Sequence, residues 1–182
     1  MTATLPRPMT FEQFANLPGE ARRELRNGTT IELQPPKLKH SLLQMRITEL
    51  LEPLIERRGL VIVEAGFRPL PEYEYRIADV GIVSLDRIRN TDLNGYLEGA
   101  PDIVIEVLSP SNRAAEMMEK EKICLANGAF EFWLVDSDQR LIRISRNIKA
   151  FSIFGPGQEI GLRRELFGEH KLAVDAIFDF QM

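Results

Sequence analysis

The stretch from Ala100 to Asp136, APDIVIEVLSPSNRAAEMMEKEKICLANGAFEFWLVD, decides the fold. It reads as strand, turn, helix, strand. Residues Ile103 to Leu108 are apolar on both faces and are interrupted by one carboxylate, Glu106. A charge in a strand otherwise fit for complete burial must be compensated, which marks Glu106 as a residue with a task. Pro110 stops the strand, Ser111 or Asn112 can cap a new helix, and that helix is predicted over Arg113 to Asn127, closed by Gly128. Phe130 to Val135 is the returning strand. A helix between two strands has the form of a crossover, so the predicted class is α/β, a mixed sheet flanked by helices.

Upstream, Thr10 with Gln13 makes a capping box for a short helix over Phe11 to Asn16. Asn27-Gly28, between Arg23–Arg26 and Thr29–Leu33, is a strong hairpin signal. After Pro35-Pro36, the apolar spacing of Leu42, Met45, Leu50 and Leu54 predicts a long helix over Ser41 to Arg57, which Pro53 would kink or end early. Leu60–Phe67 and Arg76–Ser84 read as strands, the second with Ile77, Asp79, Gly81 and Val83 on one face and Ala78, Val80 and Ile82 on the other. Asp86 to Ala100 reads as loop or partial helix. Downstream, strands are expected at Arg140–Ser145 and around Phe151–Phe154, with a terminal helix over Leu172–Phe178.

The 182 residues fit one domain, 1–182, with 1–8 as a loose leader, and bury ~70% of the unfolded surface. No apolar run approaches a membrane span of ~18 residues. The N-terminus lacks the apolar stretch of a secretory signal, and the single Cys124 builds no disulfide, so a cytoplasmic location is expected. A net charge of -4 argues against a protein that coats nucleic acid nonspecifically. Arginine clusters at 22, 23 and 26, at 57 and 58, at 140, 143 and 146, and at 163 and 164 are local exceptions, each readable as a solvated face.

Asp79 and Glu106 are the central candidates. Each lies in an otherwise apolar strand, and if the strands are neighbours, two carboxylates face each other and call for a cation; a hard divalent metal with oxygen ligands is the usual solution. The bland alternative makes Asp79 a strand-end cap and pairs Glu106 with Arg76 or Arg113. On the predicted helix Met117, Cys124, Ala114, Leu125 and Met118 form the apolar arc, with Lys120 and Lys122 on its flanks and Glu121 unexpectedly inside it. Either lysine could reach the sheet edge. Glu24 on the hairpin and His40 beside the proline-rich turn are further candidates. No phosphate-binding glycine loop, nucleophile elbow or zinc helix is present.

Taken together, GAPDIVIEVLSPS, the helix with its EK, NGAFEFWLVD, MTFEQFANLP, RRELRNGTTIEL, IADVGIVS and ELFGEHKLAVDAIF resemble the Uma-two family of restriction-endonuclease-like proteins, a branch of the PD-(D/E)XK nuclease superfamily. The resemblance runs over nearly the whole chain. It implies a restriction-endonuclease-like mixed sheet with an N-terminal hairpin and long helix. It also implies that Asp79 and Glu106 are the catalytic, metal-binding acids, and that Lys120 on the helix replaces the superfamily's lysine, since Leu108 occupies the usual place. Glu24 matches an additional family acid, which the resemblance adds to the catalytic set, and His40 matches the histidine of the proline-rich turn. Ala78, Glu121 and Cys124 depart from the pattern.

The implied activity is Mg²⁺- or Mn²⁺-dependent hydrolysis of nucleic-acid phosphodiesters, with DNA as partner and a homodimer as the form suited to cutting both strands. Two alternatives stand beside it. One is an inactive nuclease fold that binds nucleic acid or a protein; the intact Asp, Glu and Lys set argues against it, while Leu108, Glu121 and the acidic charge leave room for it. The other is a structural protein whose carboxylates are ordinary ion pairs.

Overall fold

The computed structural model describes residues 7–19, 21–109 and 114–180. The expectations for Pro110, Ser111, Asn112, Arg113 and most of the leader lie outside them. In chain order the elements are α1 (Phe11–Ala15), β1 (Arg23–Arg26), β2 (Thr29–Glu32), α2 (Leu38–Ile55), β3 (Gly59–Arg68), β4 (Arg76–Ser84), α3 (Leu85–Arg89), β5 (Leu97–Glu98) and β6 (Ile103–Val107). They continue with α4 (Ala114–Ala126), β7 (Glu131–Asp136), β8 (Leu141–Asn147), β9 (Ala150–Phe154), β10 (Glu159–Gly161), α5 (Arg164–Phe167), β11 (Lys171–Ala173) and α6 (Val174–Phe178).

A seven-stranded mixed sheet runs β5-β3-β4-β6-β7-β8-β9. Its parallel pairs are β3–β5 and β6–β7, the second bridged by α4 as the sequence requires of a crossover. Each face of the sheet carries its own core. Leu43, Ile47, Leu51 and Ile55 of α2 pack on Val80, Ile82, Ile103, Ile105 and Trp133. On the other face Met117 and Cys124 of α4 pack on Ala65, Phe67, Ala78, Val104, Phe132 and Leu134. Among the described residues no helix is long and apolar enough to cross a membrane.

The capping box at Thr10 and Gln13 forms, and Asn27 and Gly28 take positive φ (46° and 72°) at the hairpin tip, which glycine adopts without strain. Other expectations need correction. α2 begins at Leu38, so His40 lies in its first turn rather than before it, and it runs two residues past Pro53. Its buried row is Leu43, Gln44, Ile47, Leu51 and Ile55; Met45 is exposed and Leu42, Leu50 and Leu54 flank the row. Alternating runs of leucine fit more than one phase of a helix, and packing selects among them. Leu172 and Ala173, expected to open the terminal helix, belong instead to β11, which pairs with β10, and the helix begins at Val174.

The strict alternation expected for β4 fails at one residue. Ala78 joins the core under α4, whereas Val80 and Ile82 join the core under α2. The cause lies in the neighbouring strand: β3 and β4 pair Val63 with Val80 and then Ala65 with Ala78, and Glu64 between them has φ of 53°. A left-handed residue within a strand turns the side chains beyond it to the opposite face, here without any shift in register. Asp79 sits opposite that inversion.

Candidate active site

The β4–β6 ladder pairs Ile82 with Ile103, Gly81 with Val104 and Val80 with Ile105. One step further along this register Asp79 faces Glu106, so the two acids are cross-strand neighbours at the end of the ladder. Beyond the last backbone pair, the Asp79 carboxylate takes over: its Oδ2 accepts from the Val107 N–H at 2.7 Å. Its Oδ1 lies 3.0 Å from His40 Nε2 and accepts from Gln44 Nε2 at 3.2 Å. His40 and Gln44 are one turn apart on α2, so a single helix face supplies both.

Lys120, on α4, is buried at 4% exposure. Its Nζ lies 2.8 Å from Glu106 Oε1 and 3.4 Å from Glu24 Oε1, and it donates to the Ile77 carbonyl at 2.7 Å. The contact with Glu106 is a short ion pair inside the protein. Glu24 is held on its other side by Arg26 at 2.8 Å and accepts from the Ile77 N–H at 3.0 Å. Arg76, fully buried, pairs with Glu74 and Glu119 at 2.7 Å each and approaches Glu24 at 3.9 Å. It is not a partner of Glu106, and Arg113, the other arginine that the bland alternative offered, lies outside the described residues.

Burial displaces these groups in different directions. It lifts the Glu106 carboxyl well above the usual carboxylate range; Lys120 opposes this, and the negative charges of Asp79 and Glu24 add to it. For Glu24 burial acts the same way but loses to Lys120, Arg26, the Ile77 N–H and Arg76, which bring it down to about 2. Burial alone would lower Lys120, yet Glu106 and Glu24 outweigh it and hold the ammonium above its ordinary value. His40 is raised by its hydrogen bond to Asp79, against partial burial.

Asp79, Glu106, Lys120, Glu24 and His40 are therefore brought together, and Lys122 is not. Lys122 is exposed and lines a groove of about 800 Å³ between α4 and the β8–β9 end of the sheet, with Leu108, Met118, Arg143 and Phe151. None of the five clustered residues lines that groove. Glu121, the acid inside the apolar arc, is buried against Arg143. Sequence reasoning missed Gln44, Glu64 and the structural part of Arg76. Two signals were present: Gln44 comes one helical turn after His40, and Glu64 is a lone carboxylate in LVIVEAGF, as Glu106 is in its own strand.

Among the described residues no three His, Cys, Asp or Glu side chains form a ready-made metal cage. A hard cation such as Mg²⁺ does not need one, because it keeps several waters and binds through one or two carboxylates together with substrate phosphate. Asp79 uses three of its roughly four acceptor sites. With the Glu106 carboxylate one step beyond the last β4–β6 pair, this all-oxygen pair fits such an ion.

The family model described as "Putative restriction endonuclease", Uma2, matches residues 10–171. This chain belongs to the Uma2 family. Among solved structures it is similar to a protein from Anabaena variabilis ATCC 29413 titled a putative nuclease belonging to DUF820, with 23% identity, 94% of this chain and 98% of that chain covered, and a TM-score of 0.81. At that identity the likeness establishes the fold. No curated protein matches the chain. The three residues that the resemblance set apart each have a physical setting: Ala78 is buried under α4, Glu121 is paired with Arg143, and Cys124 is a core thiol whose pKa burial pushes up.

Proposed function

We propose that this chain is a divalent-metal-dependent endonuclease that hydrolyses nucleic-acid phosphodiester bonds, with DNA as its substrate. The observation that supports this best is the buried cluster in which Asp79 and Glu106 lie on adjacent strands at the end of one ladder and Lys120 reaches Glu106 from the crossover helix. Asp79 and Glu106 would hold Mg²⁺ or Mn²⁺. When bound, the ion supplies a water of lowered pKa and neutralises charge on the phosphate. Lys120 is the electrostatic group of the protein itself. Its ammonium, fixed by Glu24 and the Ile77 carbonyl, stays charged at neutral pH and can orient the attacking water or stabilise charge that builds on the phosphate oxygens. Glu24 acts by holding Lys120, and His40 by holding Asp79. A homodimer would present two such sites to the two strands of a duplex.

The test is incubation of the purified protein with duplex DNA, single-stranded DNA and RNA, in Mg²⁺, Mn²⁺ or EDTA. The parent is expected to cut DNA only with metal, and Asp79→Ala and Lys120→Ala to lose roughly 10²–10³-fold in rate. Binding without cutting would instead support the inactive nuclease fold, and full activity in either variant would sink the assignment.

A further inference from the structure

We propose that Gln44 and Glu64 are positioning residues, which hold the Asp79 carboxylate in the orientation at which it meets a divalent cation. This rests on the nuclease reading and deepens it. Gln44 occupies the buried row of α2, 3% exposed, where its neighbours in the row are leucine and isoleucine. A buried amide there must spend its hydrogen bonds, and Nε2 lies 2.6 Å from Glu64 Oε1 and 3.2 Å from Asp79 Oδ1, with the Asp79 carbonyl at 3.4 Å. The two protons of an amide nitrogen thus serve two carboxylates. The other oxygen of Glu64 is paired with Arg22, so a relay runs from Arg22 through Glu64 and Gln44 to Asp79.

The backbone adds a second, independent observation. Glu64 has φ of 53°, a conformation that a side chain with a Cβ adopts only against strain and that glycine would adopt freely. A glycine there would give the same inversion of β3, but without the carboxylate that Gln44 grips. The inversion itself matters to Asp79. On an unbroken alternation Asp79 would share its face with Gly81, on the side of α4; at the inversion it reaches His40 and Gln44 on α2 while keeping the Val107 N–H. Three of its roughly four acceptor sites are filled in this way, which leaves the carboxylate one direction for a cation. Groups that hydrogen-bond a ligating carboxylate typically set metal affinity by 10- to 100-fold when removed.

The experiment measures Mn²⁺ affinity by electron paramagnetic resonance alongside the metal-free Tm, on the parent, Asp79→Asn, Gln44→Leu, Glu64→Gly and Glu64→Gln. The expected result is Mn²⁺ binding by the parent that Asp79→Asn abolishes, and a roughly tenfold or greater weakening in Gln44→Leu and Glu64→Gly. Glu64→Gly should keep or raise the metal-free Tm, since it relieves the backbone while losing the grip on Gln44. Glu64→Gln, which retains an acceptor oxygen, should recover affinity to within about threefold. Parent-like Mn²⁺ affinity in Glu64→Gly and Gln44→Leu, or weakening in Glu64→Gly that merely tracks a fall in Tm, overturns the positioning role and leaves the nuclease reading standing. A parent that binds no Mn²⁺, or an Asp79→Asn variant that binds it as well as the parent, overturns both.

Discussion

Glu24 and Glu106 both contact Lys120 in the same buried cluster, and their pH linkage runs in opposite directions. Glu24 is held at about 2 in the folded protein against an ordinary 4.5. Its stabilisation is therefore complete above pH 4.5 and is lost as the pH falls toward 2, an effect of ~3 kcal/mol. Urea unfolding measured from pH 5 to pH 2.5 should show this loss in the parent and a much shallower one in Glu24→Gln. For Glu106 the folded pKa is raised, so its contribution favours folding at low pH and is lost as the pH rises past 4.5. Glu106→Gln is accordingly expected to have a metal-free Tm at pH 7.5 no lower than the parent, while losing cleavage; a fall of several degrees would contradict the burial argument. The acids and the lysine of this site were legible in the sequence because each is a charge placed where only apolar residues belong. Gln44 was not, since an uncharged amide in a leucine-rich helix carries no such alarm, and Glu64 was passed over although the rule applied to Glu106 covers it.

At the scale of elements, the decisive feature is the end of the β4–β6 ladder beside the inversion in β3. Gly81, two residues from Asp79, shows how closely these strands pack there. A Cβ at Gly81 would lie 2.7 Å from Ala65 Cβ and 3.1 Å from Pro101 Cγ, and neither neighbour has a flexible tail to move aside. Gly81→Ala should therefore cost about 1–3 kcal/mol in chemical denaturation; an unchanged midpoint would show that β3 and β4 are free to separate at this point. Elements with local signals were readable: the Thr10 cap, the Asn27-Gly28 hairpin, and the strand, helix and strand from Ile103 to Asp136. The two-residue β5, the three-residue β10 and the one-turn α5 were not, because such short pieces are fixed by what they pack against. The phase of α2 belongs to the same class. Its leucines allow several faces, and only the sheet beneath chooses Leu43, Ile47, Leu51 and Ile55.

On the scale of the whole molecule, the sheet separates two apolar cores, and the polar cluster lies where elements from both faces meet. α2 delivers His40 and Gln44 from one face, and α4 delivers Lys120 from the other. The hairpin contributes Glu24. No single segment could assemble this cluster, which explains why its members were readable one at a time while their convergence was not. The arginine clusters show the complementary case. Arg22, Arg26, Arg140, Arg143, Arg146, Arg163 and Arg164 each have an acidic partner, so charge runs in the sequence become ion pairs in the fold. The proposed chemistry depends most on Asp79 and Glu106 sharing one divalent cation. Anomalous diffraction from crystals soaked in Mn²⁺ measures this directly: a manganese peak within coordination distance of both carboxylates is the predicted result, and a fully soaked crystal with no peak there, or with manganese bound only elsewhere, would contradict it.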